Sequence, residues 1–282
     1  FGSDQDLELL AMIGKLETGP QPLWGLEQTT NSTRYLEELR TLAPNATVRA
    51  KVDAVLVRSR KLEPAQYGPG YMTDPASLAE LEGLQRAFAA KPGSRPDFLL
   101  KGLVKSAEIY SYYTRAEAGE PVGLYNNTVR EQWLKDTFMA DYRRAATGGK
   151  TPKVMFKFGD WHMFRGMGPS GAYTTGNFAH EFAISNGMQA VGIELIALRK
   201  DFDYAKDLPD YMRAVLPATP PTEPVLIDLR PLRPVGKQFR ERVSDKADQW
   251  LNRAFVNGYE FVLILPDSRR ADMKLTGLKT PF

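Results

Sequence analysis

The chain has 282 residues, 43% of them apolar and 25% charged, with 37 basic against 34 acidic side chains and a net charge of +3. That length buries a sizeable core, as one large domain or two small ones. The absence of cysteine excludes disulfides, thiolate metal sites, iron–sulfur clusters and a cysteine nucleophile. Lysines and arginines alternate with acids rather than clustering, which argues against a nucleic-acid partner. Apolar runs are too short to span a bilayer. The opening FGSDQDLELL has neither the basic nor the apolar region of a secretory signal. Such a chain suits the cytoplasm, or the periplasm or exterior if a signal has been removed.

The first half reads as helices. Ser3 can cap a helix with Leu7, Leu10 and Ile13 on one face. QPLWGL, Gln21 to Leu26, reads as a buried strand. Helical patterns run from Ser32 to Leu42 and from Val48 to Leu62, followed by the turn-forming YGPGY, Tyr67 to Tyr71. TDP then opens a helix, with Asp74 as N-cap and Pro75 in its first turn. Another helix is predicted from Asp97 to Ala118, its apolar face built from Leu99, Leu103, Ala107 and Tyr110.

Thr128 and Glu131 have the spacing of a capping box, opening a helix that carries Trp133, Leu134, Phe138 and Tyr142 and stops at Gly148 and Gly149. Strands are predicted at Val154 to Phe158, Ala190 to Leu198, Val225 to Leu229 and Tyr259 to Leu265. Helices from about Asn177 to Ser185 and from Ser244 to Phe255 fall between them. Strands alternating with helices predict an α/β fold, a mostly parallel central sheet flanked by helices, with an inserted helical sub-bundle.

Ligands gather at the carboxyl ends of strands in open α/β sheets. Asp160, Trp161 and His162, just beyond Phe158, therefore fall on the expected rim. Gly159, Gly166, Gly168, Gly171 and Gly176 permit tight turns and close backbone approach, and Arg165, Tyr173, Thr174 and Thr175 add hydrogen-bonding groups. An imidazole there can act as base, acid or ligand. The plain alternative is a hydrogen-bonded structural histidine. The other histidine, His180, reads as a surface or packing residue. Arg130 sits in the first turn of its helix, where the macrodipole disfavours a cation, so it pairs with a carboxylate or substrate oxygen, or is simply solvated. Glu27 is a further rim candidate. Glu194 lies within a strand, and if buried it needs a donor.

NNTVREQWLKDTFMADYRRA, a glycine pair, KVMFKFGDWHMFRG, a glycine-rich loop, a helix and AVGIEL together resemble the erythromycin-esterase-like superfamily. PLWGLEQ, VLIDLR and YEFVLIL follow the same order of strands. The broader group includes ChaN-like haem-binding and Tiki/TraB-type proteins with a GxxH signature, matched by Gly159 and His162. The resemblance implies a single domain over residues 1–282 with a helical insertion at about 31–120. It also implies a cleft where a histidine and carboxylates activate water against an ester-like bond in a small molecule, and by position His162 and Arg130 match the family's site. In such a hydrolase the catalytic candidates are His162 as acid/base or oxyanion donor, Arg130 orienting a carboxylate or the substrate, and Glu27 or Asp160 holding the histidine's tautomer. Trp161, Arg165, Tyr173 and Glu194 would contact substrate. This chemistry requires no cofactor; a haem-binding role or a divalent-metal centre are the alternatives. The family's Gly-Glu-x-x-His segment is absent from the sequence. Either an upstream portion carries it, or the protein is a degenerate member that binds without turnover.

Overall fold

The computed structural model describes residues 4–15, 22–62, 70–122, 125–146, 149, 151–168 and 171–268. Ser3, the expected first cap, and Gly148 lie outside these residues. The chain divides into two compact units that meet in sequence between Arg143 and Arg144.

The first unit is helical: α1 (Asp4–Lys15), α2 (Ser32–Thr41), α3 (Ala46–Leu62), α4 (Ser77–Phe88), α5 (Arg95–Glu117) and α6 (Tyr125–Ala145). Apolar residues recur at three- and four-residue steps in α2 to α5, so each helix has a stripe to bury. These stripes meet in one core that includes Leu36, Leu39, Val52, Leu56, Leu81, Leu99 and Leu103. Asn31 caps α2 by accepting the Arg34 N–H at 3.2 Å. The stripe expected on α1 is not a buried face, since Leu10 is 42% exposed.

A 3₁₀ turn at Gly70–Thr73 inserts Tyr71 into this core. Its hydroxyl donates to Glu80 at 2.6 Å, and Arg58 bridges Glu80 and Asp74 at 2.9 and 2.5 Å. Asp74 accepts the Ala76 N–H at 2.9 Å as expected of a capping residue. The helix itself starts later, at Ser77, with Ala76 in the cap position.

Two further expectations fail here. The segment 22–29 is not a strand, because all three strands of the sheet lie elsewhere. It runs along α5 and α6 instead: the Thr29 N–H donates to Ser106 Oγ at 3.0 Å, and the Trp24 ring lies 6.0 Å from Phe138. Helix α6 opens at Tyr125, so Thr128 and Glu131 are inside it rather than forming a capping box, and Glu131 is buried.

The second unit contains α7 (Thr175–Ser185), β1 (Ile193–Arg199), the short α8 (Tyr204–Asp207) and α9 (Asp210–Arg213), β2 (Val225–Asp228), α10 (Gly236–Arg240), α11 (Lys246–Gly258) and β3 (Phe261–Ser268). The strand order is β1-β3-β2, with β1 parallel and β2 antiparallel to β3. This is a small mixed sheet rather than the mostly parallel one expected. Val154 to Phe158 does not join it. Exposure alternates there, with Lys153, Met155 and Lys157 outward and Val154, Phe156 and Phe158 half-buried. The sequence thus carries the period of a half-covered extended chain without the ladder.

One face of the sheet is sealed. Ile196, Leu198, Val262 and Ile264 pack with Tyr211 and Met212 of α9 and with Phe255 and Val256 of α11. The other face is open: Leu195 and Leu226 both sit opposite Leu263 and are 55% and 58% exposed, and Ile193 is 52% exposed. Asp245 caps α11, accepting the Ala247 N–H at 2.7 Å.

Candidate functional site: the His162 loop

Gly159 leads into a 3₁₀ turn over Asp160–His162, closed by the His162 N–H donating to the Gly159 carbonyl at 3.1 Å. The imidazole is half-buried, its edge toward the Phe158 ring at 6.2 Å. The Asp160 side chain lies outside what is described. Beyond the turn the chain dives inward. Phe164 is buried against Tyr259, ring centroids 5.1 Å apart, and the Arg165 N–H donates to the Gly258 carbonyl at 3.0 Å.

The rest of the loop is pinned to the start of α7. Thr174 caps that helix, its Oγ1 accepting the Asn177 N–H at 3.0 Å while donating to the Phe164 carbonyl. Asn177 Oδ1 in turn accepts the Gly166 N–H at 2.8 Å. Met167 and Tyr173 form an antiparallel bridge around the turn. Two glycines are required by contact: a Cβ on Gly176 would lie 2.3 Å from the Met163 carbonyl oxygen, and one on Gly168 would lie 2.9 Å from the Trp161 oxygen. These contacts restrain the loop at both glycines, and Trp161, Met167 and Tyr173 on it are 52%, 44% and 66% exposed.

Its position differs from expectation. Phe164 and Arg165 contact Gly258, Tyr259 and Glu260, the residues entering β3. The loop is thus anchored at the amino ends of the parallel pair, not at the carboxyl rim. It was expected at the rim because Val154 to Phe158 read as a strand.

Beneath the loop lies a charged cluster that local sequence patterns do not show. Glu260 is buried, and its Oε2 accepts the Gly192 N–H at 2.8 Å and faces His180 Nε2 at 3.3 Å. Its Oε1 meets Arg165 at 3.1 Å and Arg233 at 3.3 Å. Burial alone would raise the Glu260 carboxyl, but the Gly192 N–H, His180, Arg165 and Arg233 outweigh it and hold the group below the ordinary glutamate value. His180, read as a surface or packing residue, is buried and bridges this cluster to α7. Its Nδ1 lies 2.9 Å from the Gly176 carbonyl and must carry the hydrogen of that bond. The available signal was Glu260 within the apolar YEFVLIL, since a buried acid demands donors.

Arg165 is therefore engaged with Glu260. Glu194 is buried on the inner face of β1, and Trp161 and Tyr173 stand exposed on the loop. Arg130 and Glu27 belong to the first unit and find each other: Arg130 Nε and Nη2 donate to the two Glu27 oxygens at 3.0 and 2.5 Å. Burial would lower Arg130, and the Glu27 carboxylate overcomes that effect. The cation at the head of α6 is thus neutralised by a two-pronged ion pair. Among the described residues no three His, Asp or Glu side chains come together in a way that could hold a metal ion. No family model, curated protein or solved structure matches the chain.

Proposed function

We propose that the protein hydrolyses an ester-like bond in an apolar small molecule, with His162 moving the proton. The observation that carries this reading is a half-buried imidazole on a loop held to α7 and to the entry of β3, with exposed Trp161, Met167 and Tyr173 on the same loop. Such a surface takes up an apolar substrate while leaving one titratable group to act on it. Water would lose a proton to the base as its oxygen bonds to the carbonyl carbon; the departing alcohol recovers that proton. The Glu260 cluster serves as a positioning base for the loop through Arg165. Arg130 and Glu27 satisfy each other and stand outside the reaction in this reading. On this reading α2 to α5 would be the counterpart of the helical insertion in an erythromycin-esterase-like layout.

The test is turnover on nitrophenyl esters of graded acyl length. His162→Ala should lower kcat by about 10²- to 10⁴-fold, the usual worth of a positioned acid or base. Trp161→Ala should act mainly on KM. Full turnover by His162→Ala on every ester the parent cleaves refutes the reading. The same aromatic surface favours a second one, haem binding with His162 as axial ligand, since one imidazole beside exposed rings fits a planar apolar group. Haem would supply redox or carrier chemistry when bound. A Soret shift on titration that disappears in His162→Ala supports that alternative, and no shift removes it.

A further inference from the structure

A concavity lies at the end of the sheet away from the His162 loop. A cleft of about 470 Å³ opens where β1 and β3 end, walled by Phe202, Pro220, Pro221 and Pro266. That volume is within the usual range for a small-molecule site, and the carboxyl ends of parallel strands are where α/β sheets hold ligands. The seven residues of β1 separate this end from the His162 loop by roughly 23 Å at the rise of a parallel strand.

The strand ends are shaped in an unusual way. Ala197 pairs with Leu265 and Arg199 with Ser268, so two steps on β1 match three on β3. The extra residue is accommodated at Pro266 and Asp267, and Asp267 takes a left-handed backbone, φ 50°. Aspartate is among the few non-glycine residues that tolerate this conformation, and Asp267 lines the cleft. Lys200, directly after the Arg199 that pairs with Ser268, lines the same cleft.

The charges around the cleft divide into two kinds. Arg199 is held by Asp201 at 3.1 Å, and Asp203 by Lys206 at 2.9 Å. Among the described residues, Lys200 and Asp267 make no ion pair, although they sit at the ends of adjacent strands and carry opposite sign. A ligand with one charge would satisfy one and leave the other facing its own kind of charge. We propose that the cleft binds a small zwitterion, a free amino acid with an apolar side chain: its carboxylate toward Lys200, its ammonium toward Asp267 and its side chain against Phe202 and the prolines.

The test is calorimetric titration of the full chain with L-phenylalanine and L-leucine, and with N-acetyl-L-phenylalanine and L-phenylalaninamide, which each lack one charge. One of the two amino acids should bind saturably in the millimolar range or better. Blocking either charge should weaken binding about tenfold, as expected for one lost charge-assisted hydrogen bond. Lys200→Met should bring L-phenylalanine down to the affinity of its amide. Asp267→Asn, which keeps a side chain tolerant of the left-handed backbone, should bring it down to that of the N-acetyl derivative. His162→Ala should leave all of these affinities unchanged, which separates this cleft from the hydrolase reading. Failure of both amino acids to bind overturns the proposal. So does equal binding of the N-acetyl derivative, which marks a plain anion site, and so does an affinity that neither variant moves.

Discussion

At the scale of single residues, Glu260 concentrates the electrostatics of the second unit. Its carboxylate meets a backbone N–H, a histidine and two arginines, so removing it would leave the buried Gly192 N–H unpaired and release two partly exposed arginines. Glu260→Ala is expected to cost about 1–3 kcal/mol, the range for a buried donor left unsatisfied, measured by urea denaturation. The pH dependence follows from its lowered folded value. The carboxylate contributes stability above the unfolded value, near the ordinary 4.5 for glutamate, and loses it as pH falls through the lower folded value. Glu260→Gln should therefore flatten the acid limb of the stability profile. Sequence reading singled out His162 because it follows an apolar run and precedes glycines. It passed over His180 because the partner of that ring lies 80 residues away, a distance no local pattern bridges.

At the scale of elements, α7 and the His162 loop act as one piece because Gly176 lets the helix touch the Met163 backbone. Gly176→Ala would gain helix propensity but force a Cβ to 2.3 Å from a carbonyl oxygen. Overpacking wins, with a net loss of about 1–3 kcal/mol expected in thermal melts and, under the proposed hydrolase function, a matching loss of ester turnover. Elements with a strong period were legible. Leu99, Leu103 and Ala107 are all fully buried on α5, and β1 and β3 lie within two or three residues of their predicted bounds. Segments whose apolar content serves another purpose were not. Pro22 to Leu26 and Val154 to Phe158 have the composition of strands, yet each meets helices or half-covered surface instead of a ladder. Strand character depends on a neighbour, which composition does not specify.

At the scale of the molecule, each unit has its own core, one around Leu103 and the other around Val262. Leu103→Ala and Val262→Ala remove fully buried side chains. Leu103→Ala should destabilise by about 2–5 kcal/mol and Val262→Ala by somewhat less, for its smaller volume. Calorimetry should show Leu103→Ala moving one melting transition and Val262→Ala the other; a single transition lowered equally by both would mean the units melt together. Alternation of strands and helices in the second half announced an α/β unit. The helix-rich first half gave no sign of where one core ends and the next begins, because α6 runs through the boundary without a break.

The open face of the sheet has its own thermodynamic consequence. Ile193, Leu195 and Leu226 keep water against branched hydrocarbon, and a net charge of +3 offers little mutual repulsion between molecules. Excluded salts such as sulfate strengthen apolar association, so the dissolved chain is poised to leave solution early as such salt is raised. The uncovered sheet face thus makes the chain more sensitive to such salts than its net charge alone would.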